Sequence, residues 1–104
     1  MIVHNVEQGT PEWLRLRMGV PTASRFGEVY TATGKPSASA ENYMYSLLAE
    51  IRANEPAESF TSEAMERGTM LEPEAVTAYE MMKDRSMDVI GFVTNDTGTI
   101  GCSP

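Results

Sequence analysis

The run Ser62–Glu80, SEAMERGTMLEPEAVTAYE, constrains the fold more than any other stretch, because it joins a helical repeat to an acid in an unusual place. Met65, Glu72 and Tyr79 recur every seven residues, and Gly68, Ala75 and Met82 fall beside them on the same side of a helix. Glu72 therefore borders an apolar face. A carboxylate there must be hydrogen-bonded, paired or bound to a cation, since an isolated charge taken out of water costs several kcal/mol or picks up a proton. Pro73 lacks an N–H and frees the carbonyl of Thr69, so the sequence predicts either a kink or a helix that restarts with Glu72 near its first turn. Two roles stand open for Glu72: a cap at the edge of the core, or a cation-binding or catalytic acid.

A chain of 104 residues is at most one small domain, and it buries only about two-thirds of its unfolded surface. Cys102 is the sole cysteine and excludes an internal disulfide framework. There is no signal-peptide pattern and no apolar run near the roughly 20 residues of a membrane span, so the expected compartment is a reducing cytoplasm. The net charge of −7 argues against nucleic acid as a partner, because phosphates attract Lys and Arg. That charge is unevenly spread. Up to Pro36 four basic residues (Arg15, Arg17, Arg25, Lys35) face three acids (Glu7, Glu12, Glu28), a balance of +1; from Ser37 onward four face twelve, a balance of −8. An anion-binding surface is expected in the first third, and a solvated acidic face in the rest.

Met1–Val6 is short and β-capable, and Thr10-Pro11-Glu12 has the signature of a helix start: Thr as N-cap, Pro at the first helical position, an acid in the first turn. On the helix Trp13–Met18 that follows, Trp13 and Arg17 are four apart and share a face, and Gly19 ends it. Thr22 then caps a predicted helix running to about Tyr30, with Ser24 in its first turn. Unpaired N–H groups and the positive dipole end suit a phosphate there, Ser24 adds a hydroxyl donor and Arg17 a charge; the plainer alternative makes Thr22 and Ser24 ordinary capping residues and Arg17 a surface cation.

Thr31–Ala40 is a small-residue loop closed by Ser39 as N-cap. The helix about Ala40–Ala53 is expected to bury Met44, Leu47, Leu48 and Ile51, spaced i, i+3, i+4, i+7. After a polar connection, Asn54–Thr61, Ser62 starts the central helix, which ends near Lys83–Arg85 with cations favoured by the dipole. Met65, Met70, Met81, Met82 and Met87 read as adaptable core filler. Val89–Thr94 is apolar on both sides, as in a strand covered on both faces; Asn95–Gly98 is a turn and Thr99–Cys102 the returning strand of a hairpin. With nothing after Ser103-Pro104 to cover that hairpin, the sequence reads as a chain that ends inside its own fold.

Taken together, QGTPEWLRLRMGVPTASRF, YSLLAEI, RGTMLEPEAVTAYE and IGCSP resemble the phage lambda-type alkaline exonucleases, also called YqaJ-like viral recombinases, of the PD-(D/E)XK nuclease superfamily. The pieces stand in the family's order, at about its spacings, over nearly the whole chain. The resemblance implies a processive nuclease that degrades one strand of linear double-stranded DNA from its 5′ end, using Mg²⁺ or Mn²⁺, during recombination in a phage-infected or prophage-bearing bacterial cell. It also implies a homo-oligomer and a single-strand annealing protein as partners. Arg17 and Ser24 match positions that grip the 5′-terminal phosphate, Glu72 matches the acid that reaches the metal from the helix, and Asp96 or Asn95 lies near a further metal-site acid. The metal would activate a water and neutralise charge growing on the phosphate.

This chain departs from the pattern at its end. In the family, the Ser-Pro of the second strand is followed by the main metal-binding Asp and then by a strand carrying Glu-x-Lys, all beyond Pro104 here. The resulting expectation is an α+β fold: N-terminal helices on the start of a mixed sheet, the restriction-endonuclease-like core apparently truncated. Residues 1–61 would form a helical DNA-end-binding part, and 62–104 the first core helix and first β-hairpin. On this reading the chain by itself lacks the complete catalytic site. The competing reading is a non-catalytic acidic binding or decoy protein derived from the nuclease front half.

Overall fold

The computed structural model describes residues 1–56 and 62–104. The order of elements is β1 (Ile2–His4), α1 (Pro11–Arg17), a 3₁₀ segment (Ala23–Glu28), α2 (Ala40–Ala53), α3 (Glu63–Lys83), β2 (Phe92–Thr94) and β3 (Gly101–Cys102). Mixed helices and a small sheet make this α+β, as expected. The chain divides into two units, Met1–Ala57 with Ile90–Pro104, and Glu58–Val89.

In the first unit the sheet runs β1-β2-β3, antiparallel throughout, with Val3 opposite Val93 and Val93 opposite Cys102. The predicted hairpin is present but does not stand alone, because β1 pairs with the free side of β2. The outer side of β3 is also occupied: Thr22 forms a parallel bridge with Gly101, whose N–H donates to the Pro21 carbonyl. Phe92 is fully buried in the central strand. The His4 ring lies 5.9 Å from it, and Gly101 comes so close that a Cβ would sit 2.4 Å from the Phe92 ring. Burying one such side chain contributes roughly 1.5–3 kcal/mol. Buried Thr94 keeps its hydroxyl satisfied, 3.1 Å from His4 Nε2.

The expectation of a strand from Val89 holds only from Phe92 to Thr94; Val89 itself is exposed. Asn95 makes the turn. Its Oδ1 accepts from the Thr99 and Ile100 N–H groups at 2.8 and 3.3 Å, while Nδ2 donates to the hydroxyls of Thr97 and Thr99.

α1 starts as predicted, with the Thr10 hydroxyl accepting from Trp13 N–H and Pro11 first in the helix, and it stops at Arg17 before Gly19 at φ +67°. The predicted helix after Thr22 is instead a six-residue 3₁₀ segment, with Arg25 at a non-helical φ −110°, ψ 15°, and Thr22 caps nothing. So short a segment carries little dipole. Ser39 likewise precedes α2 without a side-chain cap bond.

α2 has the predicted bounds but a different inner face. Met44, Leu48 and Ile51 are exposed, whereas Tyr43 is buried and Ser46, Leu47 and Glu50 are half-buried. The inward stripe is rotated by one residue, because Tyr43 and Glu50 find hydrogen-bond partners in the segment after α1.

In the second unit α3 begins at its Ser62 cap, which accepts from Met65 N–H, and ends at Lys83, followed by Asp84 at φ 50°. It neither stops nor restarts at Pro73. The helix is continuous through it, so Glu72 is an interior residue and not a cap. The methionines expected in the core are exposed: Met70, Met81 and Met82 at 79%, 80% and 80%, with Met65 and Met87 also open. Of the connection 54–61, residues 57–61 lie outside the described residues.

Candidate functional site

Two residues of α1 and the final segment of the chain form the rigid part of the site. Trp13 Nε1 donates to the Gly91 carbonyl at 3.0 Å and to Ser103 Oγ at 3.1 Å, and Arg17 Nη1 donates to the same Ser103 Oγ at 2.9 Å. The guanidinium of Arg17 lies over the Trp13 ring, 4.4 Å from its centroid. The shared face predicted from their spacing is therefore a cation–π contact, which with the Ser103 bond holds the guanidinium in place. Partial burial lowers the pKa of Arg17, opposed by the nearby Tyr43 and Glu50; the group remains a cation. Its charge acts through a medium less polar than water, which strengthens its pull on an anion.

Tyr43 holds the next segment. Its hydroxyl accepts from the backbone N–H of buried Thr22 at 3.2 Å, and the Thr22 hydroxyl is 3.2 Å from that of Ser24. Arg25 lies over the other aromatic of the group, 4.5 Å from the centroid of Tyr43. Arg25 is also paired with Glu28; the hydrogen bond between them raises the arginine pKa and lowers that of the carboxyl. Glu50 accepts from Gly19 N–H at 2.8 Å, bracing the turn between α1 and Thr22. Gly19 has no room for a side chain, since a Cβ would sit 2.3 Å from Ile51.

The structure thus holds Arg17 against Trp13 and Ser103, and ties the Ser24 hydroxyl through Thr22 to Tyr43. Such a group can receive an anion by charge and hydroxyl donation. Sequence reasoning missed Tyr43, Ser103 and Arg25. The signal for Tyr43 was present: it stands seven residues before Glu50, so both share one face of α2. Ser103 gave none, because its role depends on α1.

The candidate metal ligands have different surroundings. Glu72 is exposed on α3, in the second unit. Asp96 is exposed at the hairpin tip of the first unit and pairs with the amino terminus, while the neighbouring Asn95 side chain is engaged in the turn. Among the described residues no three His, Cys, Asp or Glu side chains gather to hold a metal ion. A hard divalent cation takes about six oxygen ligands, so the donors described here do not make up such a site.

Residues 12–104 match the family model described as the YqaJ-like viral recombinase domain. No curated protein sequence matches the chain. Among solved structures, the chain is similar to the alkaline exonuclease LHK-Exo from Laribacter hongkongensis, with 33% identity and a TM-score of 0.75. It is similar also to LHK-Exo in complex with dAMP, at 33% identity and a TM-score of 0.74. Either match covers 91% of this chain but 46% of the exonuclease, so the chain spans about half the length of those proteins. The match over nearly the full chain, with the Arg17 network and hairpin inside it, shows that this chain belongs to the YqaJ-like viral recombinase domain family.

Proposed function

We propose that this chain forms the end-gripping part of a metal-dependent exonuclease that degrades one strand of linear duplex DNA from a 5′-phosphorylated end in recombination. Arg17 supplies the charge for the terminal phosphate and Ser24 a hydroxyl donor. The observation that carries the reading is the guanidinium of Arg17 held over the Trp13 ring and on the Ser103 hydroxyl, with Ser24 tied through Thr22 to Tyr43. Its contacts with the Trp13 ring and Ser103 cost the arginine rotamer freedom before DNA arrives, so less is lost on binding.

In the whole protein, Glu72 would join further acids around Mg²⁺ or Mn²⁺. Glu72 stands within α3, whose Ser62 cap and continuous helix fix its backbone without burying its carboxylate. Because this chain's own donors are too few, it is expected to bind DNA ends without metal and to leave duplex DNA uncut. Metal-dependent cleavage by the purified chain that disappears in Glu72→Ala would overturn that expectation.

The test of the grip is binding to a linear duplex carrying a 5′-phosphate or a 5′-hydroxyl, in the presence of a chelator. A charge-assisted contact of about 1.5–3 kcal/mol corresponds to a preference of about 10- to 150-fold for the phosphorylated end. Arg17→Ala should abolish that preference, and Ser24→Ala should reduce it less. Equal weakening on both ends would assign Arg17 to the fold alone.

A further inference from the structure

We propose that Arg25 is a second DNA contact, taking the backbone phosphate next to the terminal one on the same strand. The inference rests on the reading of Arg17 and Ser24 as the terminal-phosphate grip. Arg25 follows Ser24 directly, and its guanidinium lies on Tyr43, as that of Arg17 lies on Trp13, at 4.5 and 4.4 Å. Tyr43 is buried and tied to Thr22, so its ring is a fixed platform. A guanidinium held over a ring keeps N–H groups that can meet phosphate oxygens in pairs.

Arg25 is open to such a contact. Its side chain is 45% exposed, and among the described residues only Nε has a hydrogen-bond partner, Glu28. That exposed ion pair is weak and exchangeable. The backbone also departs from helical geometry at Arg25, the residue that lies on the Tyr43 ring. In a chain whose net charge is −7, DNA affinity depends on concentrating cations where phosphates fall, and Arg17 and Arg25 are each held over an aromatic ring, Trp13 and Tyr43.

Fluorescence anisotropy of the 104-residue chain with both duplexes, repeated over a range of KCl concentrations with chelator present, tests the proposal. Arg25→Gln should reduce the slope of log K against log salt by about 0.9, the value for one phosphate contact on duplex DNA. It should weaken both duplexes by a similar factor and keep the preference for the 5′-phosphate. Arg25→Lys should retain the slope, and Glu28→Gln should tighten binding to both duplexes. An unchanged slope in Arg25→Gln, with the Arg17→Ala effect intact, overturns this inference alone. An unchanged preference in Arg17→Ala overturns the terminal-phosphate reading and this one with it. If Arg25→Gln and Arg25→Lys both lose the native circular dichroism spectrum, Arg25 belongs to the fold and the inference fails.

Discussion

At the scale of single residues, Trp13 has the widest reach, since one N–H holds both the Gly91 carbonyl and the Ser103 hydroxyl while its ring carries Arg17. Trp13→Phe keeps a ring but removes the donor to the Gly91 carbonyl and leaves Ser103 Oγ with Arg17 alone, and it should cost about 1–3 kcal/mol in urea denaturation. The glycines divide sharply. At Gly91 a Cβ would fall 1.8 Å from the Val6 carbonyl oxygen, a backbone atom that cannot step aside, so Gly91→Ala should prevent folding of the first unit. At Gly68, inside α3, a Cβ meets nothing within 4 Å. Gly68→Ala should instead stabilise that helix by about 0.5–1 kcal/mol, read as increased helicity. Sequence reasoning could name Arg17 and Ser24 because charge and hydroxyl chemistry are written in the residue types. It had no access to Gly91 or Ser103, whose roles come from neighbours far away along the chain.

Among the elements, helix bounds followed from local chemistry and helix orientation did not. Thr10, Pro11 and Ser62 act as the starts they spell out, since capping involves only residues three positions away. α2 keeps its bounds too, yet its inward face follows Tyr43 and Glu50. Apolar spacing alone pointed to the adjoining stripe, because periodicity reports an amphipathic helix without saying which partners it meets. The 3₁₀ segment was unreadable for a similar reason: Thr22 is drawn into a bridge with Gly101, which removes it from capping. Pro73 sits within a continuous α3, at a position where proline costs a helix about 3 kcal/mol. Pro73→Ala should therefore raise the helical signal and the urea midpoint of the second unit, and no gain would mean that Pro73 is compensated by contacts of its own.

For the whole molecule, the sequence pattern revealed α+β architecture and a family, while the identity of the core residues required the fold. Phe92 and Tyr43 are the large side chains buried among the described residues; Met44, Leu48, Ile51, Met70, Met81 and Met82 stay open to water. Such exposed apolar surface favours self-association, so sedimentation should show the apparent mass rising with concentration; a monomer at all concentrations would contradict this. The register of the sheet sets the timing of assembly. Ile2–His4 must find Phe92–Thr94, so a strand is completed by one about 90 residues further along the chain. Closing so long a loop is entropically costly before any pairing rewards it, and contacts of this separation slow folding. Because Trp13 is the chain's single tryptophan and bonds to Gly91 and Ser103, its fluorescence is a clock for that closure, and its change should lag behind the helical signal when the chain refolds.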